Sequence, residues 1–220
     1  MRRSLERSNR HHKKALEKLP LGVSSNFRYW GAENTIYVDH AHGGRIWDID
    51  DNEYIDYRMG YGPGILGYHD GRVDHAAREG MEVGGVFALS TEREYEVARR
   101  ISKMVPAAEL VRFSNSGTEA VMAALRLAKG YTGKDSHIIV EGGYHGVFDA
   151  VLWYADIEEW DESMGAPPIE ADSAGVPHMM RKLAYFTPLN DADYLEDLLK
   201  RHHQNIGAFL IEPIMGNCCS

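Results

Sequence analysis

The sequence Ser-Asn-Ser-Gly-Thr-Glu at residues 114–119 decides the fold of this chain. It follows a short apolar segment with Val111 and Phe113, which predicts a strand, and it precedes a strong helical pattern. Ser116 and Glu119 have the spacing of a capping box, so the helix is predicted to start between them. A strand that leads through small residues into a helix start presents unpaired backbone N–H groups at the positive end of the helix dipole. The stretch therefore predicts an anion site in an α/β fold.

Three residues of this stretch are candidate ligands of a phosphate group. Gly117 allows the backbone to approach a ligand closely, and Ser116 and Thr118 add hydroxyl donors. On these residues alone, an ordinary capped helix without a ligand is an equally good interpretation.

Two further strand ends carry polar loops. The apolar run 138–140 is followed by Glu-Gly-Gly-Tyr-His-Gly, and the run 208–211 is followed by Glu-Pro-Ile-Met-Gly-Asn. Strands and helices alternate from residue 111 onward, which favours a parallel sheet covered on both faces. Ligands of such sheets bind outside the carboxyl ends of the strands, so we expect these loops and the anion site to meet in one crevice.

Together these motifs resemble those of the class III pyridoxal-phosphate aminotransferases, and most of all the glutamate-1-semialdehyde aminomutase branch. The resemblance runs from about residue 4 to the end of the chain. Several motifs in the same order are far more specific than any one of them. In chain order they are Gly-Val-Ser-Ser-Asn-Phe-Arg (22–28), Trp-Asp-Ile-Asp (47–50), Tyr-Ile-Asp-Tyr (54–57), Gly-Pro-Gly-Ile-Leu-Gly (62–67), Ser-Asn-Ser-Gly-Thr-Glu-Ala (114–120), Tyr-His-Gly (144–146) and Glu-Pro-Ile-Met-Gly-Asn (212–217).

The resemblance implies an α/β fold of the fold-type I pyridoxal-phosphate transferases. Residues 1–65 are expected to form an N-terminal helix and small strands, and residues 66–220 the first part of a large, mostly parallel-sheet domain. Family members are much longer, so the chain is expected to be an N-terminal half. The Schiff-base lysine and the aspartate that pairs with the pyridine nitrogen are then expected beyond Ser220, and the chain alone is expected to be inactive.

The resemblance also implies cofactor contacts for pyridoxal 5′-phosphate. Ser116, Gly117 and Thr118 would hold the phosphate, and Tyr144 would stack on the ring with His145 beside it. Glu212 and Asn217 complete the predicted cofactor-binding set.

Asn217 indicates the branch of the family. Class III enzymes that act on γ-aminobutyrate or ornithine carry a glutamate at this position and a glutamine where Met215 stands. The Asn217 amide can hydrogen-bond the phenolic oxygen of the cofactor, whereas Met215 cannot.

Substrate contacts are implied for Ser25, Arg28 and Tyr61. A guanidinium matches a carboxylate with two parallel hydrogen bonds, so Arg28 predicts a carboxylate-bearing amino compound as substrate. Tyr61 takes the place of an aromatic residue that is commonly tryptophan in aminomutases, which weakens the assignment to that activity. The resemblance implies small-molecule amino donors and acceptors and a homodimer.

Three alternatives stay open. The whole protein could be a transaminase for a β-amino acid or another amine. From another class, the chain could be a non-catalytic fragment or a scaffold that binds a phosphorylated ligand. A nucleotide-binding Rossmann domain is disfavoured because the chain has neither a Gly-x-Gly-x-x-Gly turn nor a P-loop lysine motif. His40 and His42 lack a third ligand at metal spacing, so no metal site is predicted.

Charge and composition argue against several partners. The net charge is −9, and residues 1–18 carry seven basic and two acidic side chains, so the rest of the chain is strongly acidic. That balance disfavours nucleic acid. No apolar run reaches the ~18 residues of a membrane span, and no signal-peptide core is present. The two cysteines, Cys218 and Cys219, are adjacent, and the expected location is cytoplasmic.

Local patterns give further expectations. Helices are predicted over 3–18, 71–83, 91–104 and 193–202, and short strands over 35–57. Residues 155–180 are rich in acids, Gly and Pro and are predicted to form a long surface loop.

Overall fold

The computed structural model describes residues 3–155 and 168–217. Its contacts divide the chain into two compact units, Met1–Thr91 and Glu92–Ser220. The domain boundary predicted after residue 65 stays a prediction. Among the described residues, no helix is long and apolar enough to cross a membrane.

The first unit is built on a small antiparallel sheet. Its strands follow one another in the order β1, β2, β3, and they are joined by turns at Gly43-Gly44 and at residues 49–52. The predicted strands over 35–57 and the predicted helices over 3–18 and 71–83 are confirmed. The elements are α1 (Glu6–Ala15), β1 (Val38–His42), β2 (Arg45–Asp48), β3 (Glu53–Ile55) and α2 (Gly71–Glu82), with 3₁₀ turns at Pro20–Gly22 and Asn26–Arg28.

Helix α1 takes its N-terminal cap from a distant turn. The Asp50 carboxylate accepts hydrogen bonds from the backbone N–H groups of Arg7 at 2.6 Å and Ser8 at 2.8 Å. Burial raises the pKa of Asp50, but the hydrogen bonds from Ser8 and Arg7 outweigh burial and lower the pKa overall. A negative charge at these orphan N–H groups stabilises the helix start and fixes α1 on the sheet.

The second unit is an α/β layer structure. Its three-stranded sheet has the order β7-β4-β8 with both pairings parallel, and β5 and β6 form a separate antiparallel pair. The parallel sheet and the helices at 91–104 and 193–202 confirm the predicted α/β class. The elements are α3 (Glu92–Met104), α4 (Gly117–Thr132), β4 (Ser136–Val140), β5 (Trp153–Ala155), β6 (Ile169–Ala171), β7 (Ala184–Thr187), α5 (Ala192–His202) and β8 (Ile206–Leu210).

Strand β4 is the centre of this unit. All five of its residues are buried, and successive side chains point to opposite faces of the sheet. Ile139 packs in a cluster with Leu125 of α4, whereas Ile138 packs with Leu198 of α5. The two helices therefore cover opposite faces of the sheet, as a parallel sheet requires.

Two local predictions are wrong. Residues 111–114 form no strand, because a strand needs a hydrogen-bonded neighbour and none of the described strands pairs with them. The predicted loop over 155–180 contains β6 and a 3₁₀ helix at His178–Leu183, because β6 finds its partner in β5. Residues 156–167 of that predicted loop lie outside the described residues.

His137 of β4 makes stability depend on pH. Its ring is fully buried, and Nε2 donates to the carbonyl oxygen of Ala150 at 2.8 Å. Burial, with a smaller contribution from Lys129, lowers the pKa of His137 from 6.5 to about 4. The folded state therefore holds this histidine neutral, while the unfolded state takes up a proton below about pH 6.5.

We expect protonation of His137 in the unfolded state to lower the free energy of unfolding by about 3 kcal/mol as the pH drops from 6.5 to 4. Urea denaturation of the whole protein across that range measures it. His137→Gln keeps an N–H donor but does not titrate, so its stability should decline less steeply. Equal pH slopes in wild type and variant would contradict the prediction.

Candidate active site

The start of α4 is capped as the sequence predicts. The Ser116 hydroxyl accepts a hydrogen bond from the Glu119 N–H at 3.2 Å. The Glu119 carboxylate accepts from the Asn115 N–H at 2.7 Å, one residue further back than in the usual capping box. The N–H groups of Gly117 and Thr118 have no partner inside the helix by its geometry. They are therefore the donors that this helix start offers to an anion.

Gly117 leaves open space at this helix start. A Cβ atom built there would meet no atom of the described chain within 4 Å. The backbone of Gly117 is not left-handed, so neither its conformation nor protein packing requires a glycine. The space beside it suits a group that approaches the backbone closely, as a phosphate does in such cradles.

Thr118 joins the helix start to the loop after β4. Its Oγ1 accepts from the Val147 N–H at 3.2 Å. Gly146 has φ +106°, and a Cβ there would lie 2.6 Å from Thr118 Oγ1. Only glycine allows this approach. The Thr118 hydroxyl hydrogen remains a donor while its oxygen accepts from the loop.

Glu212 joins the loop after β4 to the loop after β8. These two strands are parallel neighbours, with Ile139 opposite Leu210, so their loops leave the same edge of the sheet. The Glu212 carboxylate accepts from the Tyr144 N–H at 2.6 Å and from the Gly216 N–H at 3.3 Å. The loops after β4 and β8 thus lie at one edge of the sheet, as predicted. Glu212 joins them by accepting hydrogen bonds from one backbone N–H group of each loop.

The remaining predicted cofactor residues lie on these loops. Tyr144 is 48% exposed and Asn217 is exposed, whereas Met215, two residues before Asn217, is buried. His145 is buried, and its Nε2 has no hydrogen-bond partner within the described part of the chain. Burial lowers the pKa of His145, and nearby Glu212 opposes that shift only in part. The ring is therefore neutral near pH 7.

The predicted substrate residues lie in the first unit. Arg28 and Tyr61 both line an open groove of about 1330 Å³, and both are exposed. Ser25 does not line that groove. Arg28 Nη1 instead donates to the Ser24 hydroxyl at 2.9 Å, so the serine next to the guanidinium is Ser24.

Arg58 is a groove residue that sequence reasoning missed. Its guanidinium lies 4.6 Å from the Trp30 ring centroid and donates to the Tyr61 hydroxyl at 2.8 Å. Trp30 also lines the groove. The only signal in the sequence was the spacing of Arg58 and Tyr61, three residues apart, which by itself indicates nothing.

Comparison with known proteins places this chain in a family. The model of the family "Aminotransferase class-III" matches residues 29–219. The chain is 39% identical over 213 residues to a glutamate-1-semialdehyde 2,1-aminomutase of Archaeoglobus fulgidus, covering 97% of the chain and 49% of that relative. It is 37% identical to the protein of the same name from Methanosphaera stadtmanae. The chain spans about half the length of the curated relatives it matches.

Solved structures agree in fold. An omega-transaminase from Sphaerobacter thermophilus superposes with a TM-score of 0.87 at 30% identity, covering 94% of this chain and 47% of that one. A transaminase with PLP bound gives 0.86 at 29% identity, covering 96% and 48%. A beta-phenylalanine aminotransferase from Variovorax paradoxus gives 0.80 at 27% identity, covering 96% and 44%. The predicted fold-type I class is confirmed.

The Glu212 contacts generate a first prediction for this site. Glu212→Gln replaces one acceptor oxygen by an NH₂ group, which cannot accept from a backbone N–H. Hydrogen exchange at the Tyr144 or Gly216 amide of the whole protein should quicken about tenfold, as a lost charge-assisted hydrogen bond implies. Glu170→Gln, an exposed carboxylate on β6, is the control. Unchanged exchange at both amides would refute the bridging role.

Proposed function

Because the chain belongs to the class III aminotransferase family, we propose that the whole protein moves amino groups with the help of pyridoxal 5′-phosphate. The observation that carries the proposal is the open backbone cradle at Gly117, joined through Thr118 and Glu212 to the Tyr144 loop. The relatives named aminomutases and the transaminase with PLP bound support it.

The residues at the sheet edge fit the cofactor. The phosphate would be held by the N–H groups of Gly117 and Thr118 and by the hydroxyls of Ser116 and Thr118. When bound, pyridoxal phosphate supplies an electron sink for the carbanion formed when a substrate amine loses its α-proton. The Tyr144 ring, which is half-exposed, would stack on the cofactor ring.

The neighbouring polar groups would orient the cofactor ring. His145 is neutral and buried, so it would flank the ring without adding a positive charge. Glu212 would act on the cofactor through the Tyr144 and Gly216 backbones, since both of its oxygens accept from them. The Asn217 amide would hydrogen-bond the phenolic oxygen.

The substrate is proposed to be an amino compound with a carboxylate. Arg28 would bind that carboxylate bidentately, with Tyr61 of the same groove as a further contact. The Ser25 contact stays a prediction, because Ser25 does not line the groove. An aminomutase returns the amino group to an adjacent carbon of the same molecule, whereas an aminotransferase passes it to a second keto acid. The relatives named aminomutases favour the first and the beta-phenylalanine aminotransferase favours the second.

A binding scaffold for a phosphorylated ligand is the second candidate, and the open cradle at Gly117 alone would serve it equally well. Borohydride treatment of the whole protein with pyridoxal phosphate discriminates the two. An enzyme of this family would become covalently linked to the cofactor through a lysine, proposed to lie beyond Ser220, and a scaffold would release the ligand. A homodimer and a cytoplasmic location stay predictions.

Gly117→Val should place methyl groups where the phosphate would approach. We expect the dissociation constant of pyridoxal phosphate to rise at least tenfold (about 1.4 kcal/mol) in a spectroscopic titration of the whole protein. The fold should persist, because a Cβ at Gly117 meets no described atom within 4 Å. Gly130→Val is the matched control, because Gly130 lies on the same helix with the same free space. Wild-type affinity in Gly117→Val would rule out the cradle.

Arg28→Lys should raise KM for carboxylate-bearing amines about tenfold, since an ammonium lacks the bidentate fork. β-Phenylalanine and 1-phenylethylamine form a matched pair that differs only by the carboxylate. A second pair, 3-aminobutanoate and 2-aminopropane, lacks the aromatic ring. Steady-state kinetics of the whole protein should show a change for the acids and little change for the simple amines. An equal loss on both members of a pair would make Arg28 a structural residue.

A further inference from the structure

Arg58 connects the two segments of the first unit that carry the predicted substrate contacts. Its Nη1 donates to the Tyr61 hydroxyl at 2.8 Å and approaches the Phe27 carbonyl oxygen at 3.5 Å. The same guanidinium lies 4.6 Å from the centroid of the Trp30 ring and 5.1 Å from that of Tyr61. One cation thus contacts both the 27–30 segment and the 58–61 segment.

The Phe27 carbonyl oxygen is the acceptor through which these two segments are connected. It accepts from the Tyr61 hydroxyl at 2.8 Å, and the Phe27 and Tyr61 rings meet edge to face at 6.3 Å. Phe27 immediately precedes Arg28 in the 3₁₀ turn Asn26–Arg28. A constraint on the Phe27 carbonyl therefore limits where the Arg28 backbone can lie.

The 58–61 segment is itself held in a costly conformation. Met59 and Tyr61 have φ values of +44° and +66°, which residues with a Cβ rarely adopt. At one end, Asp56 Oδ1 accepts from the backbone N–H groups of Arg58 at 2.8 Å and Met59 at 3.2 Å. At the other end the Arg58–Tyr61–Phe27 contacts complete the restraint. Backbone strain of this kind persists only where the surrounding contacts over-determine it, and it clusters at functional segments.

We propose that Arg58 is a positioning residue for substrate carboxylates, which acts by fixing Tyr61 and the Phe27 carbonyl so that Arg28 is preset for bidentate binding. The inference rests on the proposed function and deepens it. It assigns the selectivity for acids over simple amines to a pair of arginines, of which Arg28 contacts the substrate and Arg58 holds Arg28 in place.

The role requires a guanidinium. A planar guanidinium can donate to two oxygens in its plane while its face lies on an aromatic ring. A lysine at position 58 would keep the positive charge but lose this combination. Arg58→Lys and Arg58→Met therefore separate the effect of charge from the effect of geometry.

The test compares Arg58→Met, Arg58→Lys and Arg28→Met with the double variant Arg28→Met/Arg58→Met, all in the whole protein. Arg78→Met, on the exposed surface of α2, removes the same charge elsewhere and is the control. The first measurement is hydrogen exchange of residues 26–30 without substrate. The second is KM and kcat for β-phenylalanine and 1-phenylethylamine.

We expect Arg58→Met to quicken exchange at residues 26–30 and to raise KM for β-phenylalanine five- to tenfold, with kcat within twofold. KM for 1-phenylethylamine should stay unchanged. Arg58→Lys should behave like Arg58→Met, and it also provides the test if the methionine variant does not fold. In the Arg28→Met background, the loss of Arg58 should have no further effect, since it acts through Arg28.

Additive losses in the double variant would mean that Arg58 binds the carboxylate directly and would overturn the proposal. Unchanged exchange at residues 26–30 would overturn it whatever the kinetics show. Faster exchange with unchanged KM for β-phenylalanine would overturn the link to the carboxylate. A wild-type protein that transfers amino groups from none of these four amines would instead contradict the aminotransferase form of the proposed function. Hydrogen exchange would still decide whether Arg58 positions the segment.

Discussion

The carboxylate of Glu212, shared between the backbone N–H groups of Tyr144 and Gly216, is the interaction on which the sheet-edge site depends. Parallel pairing of β4 with β8 brings the ends of both strands to one edge, but it does not fix the loops beyond them. A charged acceptor with two oxygens can hold two loops at once. Thr118 repeats the arrangement on the other side by accepting from Val147. The loop that carries Tyr144 is thereby held at two points, by Thr118 of α4 and by Glu212 after β8.

The glycines of the site show which constraints come from the protein and which would come from a ligand. Gly146 approaches Thr118 so closely that any Cβ would clash, so the fold itself requires a glycine there. Gly117 meets no described atom and is not left-handed, so the folded chain makes no such demand. The difference separates a packing glycine from one that suits the approach of an anion to the helix start.

In the first unit, two aspartate carboxylates likewise accept hydrogen bonds from backbone N–H groups. Asp50 caps α1 from the β2–β3 turn, and Asp56 holds the start of the left-handed segment that contains Tyr61. Burial raises the pKa of the Asp56 carboxyl, but hydrogen bonds from Tyr68 and from the Arg58 and Met59 backbones outweigh burial and lower the pKa overall. In both units, carboxylates that accept backbone N–H groups hold the turns and loops that carry the candidate site residues.

Local sequence by itself determined the helices α2, α4 and α5, the cap at Ser116 and the apolar strands β4 and β8, because caps and periodicity act over a few residues. Motif order also identified the family and the residues Gly117, Tyr144 and Asn217 as candidates. Only the tertiary structure decided that residues 111–114 stay unpaired and that β6 pairs with β5, because strands need neighbours from elsewhere in the chain. It likewise decided that Ser24 rather than Ser25 contacts Arg28, that Glu212 bridges two loops and that Arg58 joins Tyr61 to Phe27. Most of these contacts join residues that are tens of positions apart in the sequence. The others depend on the direction of a side chain within a turn. No local sequence pattern predicts contacts of these two kinds.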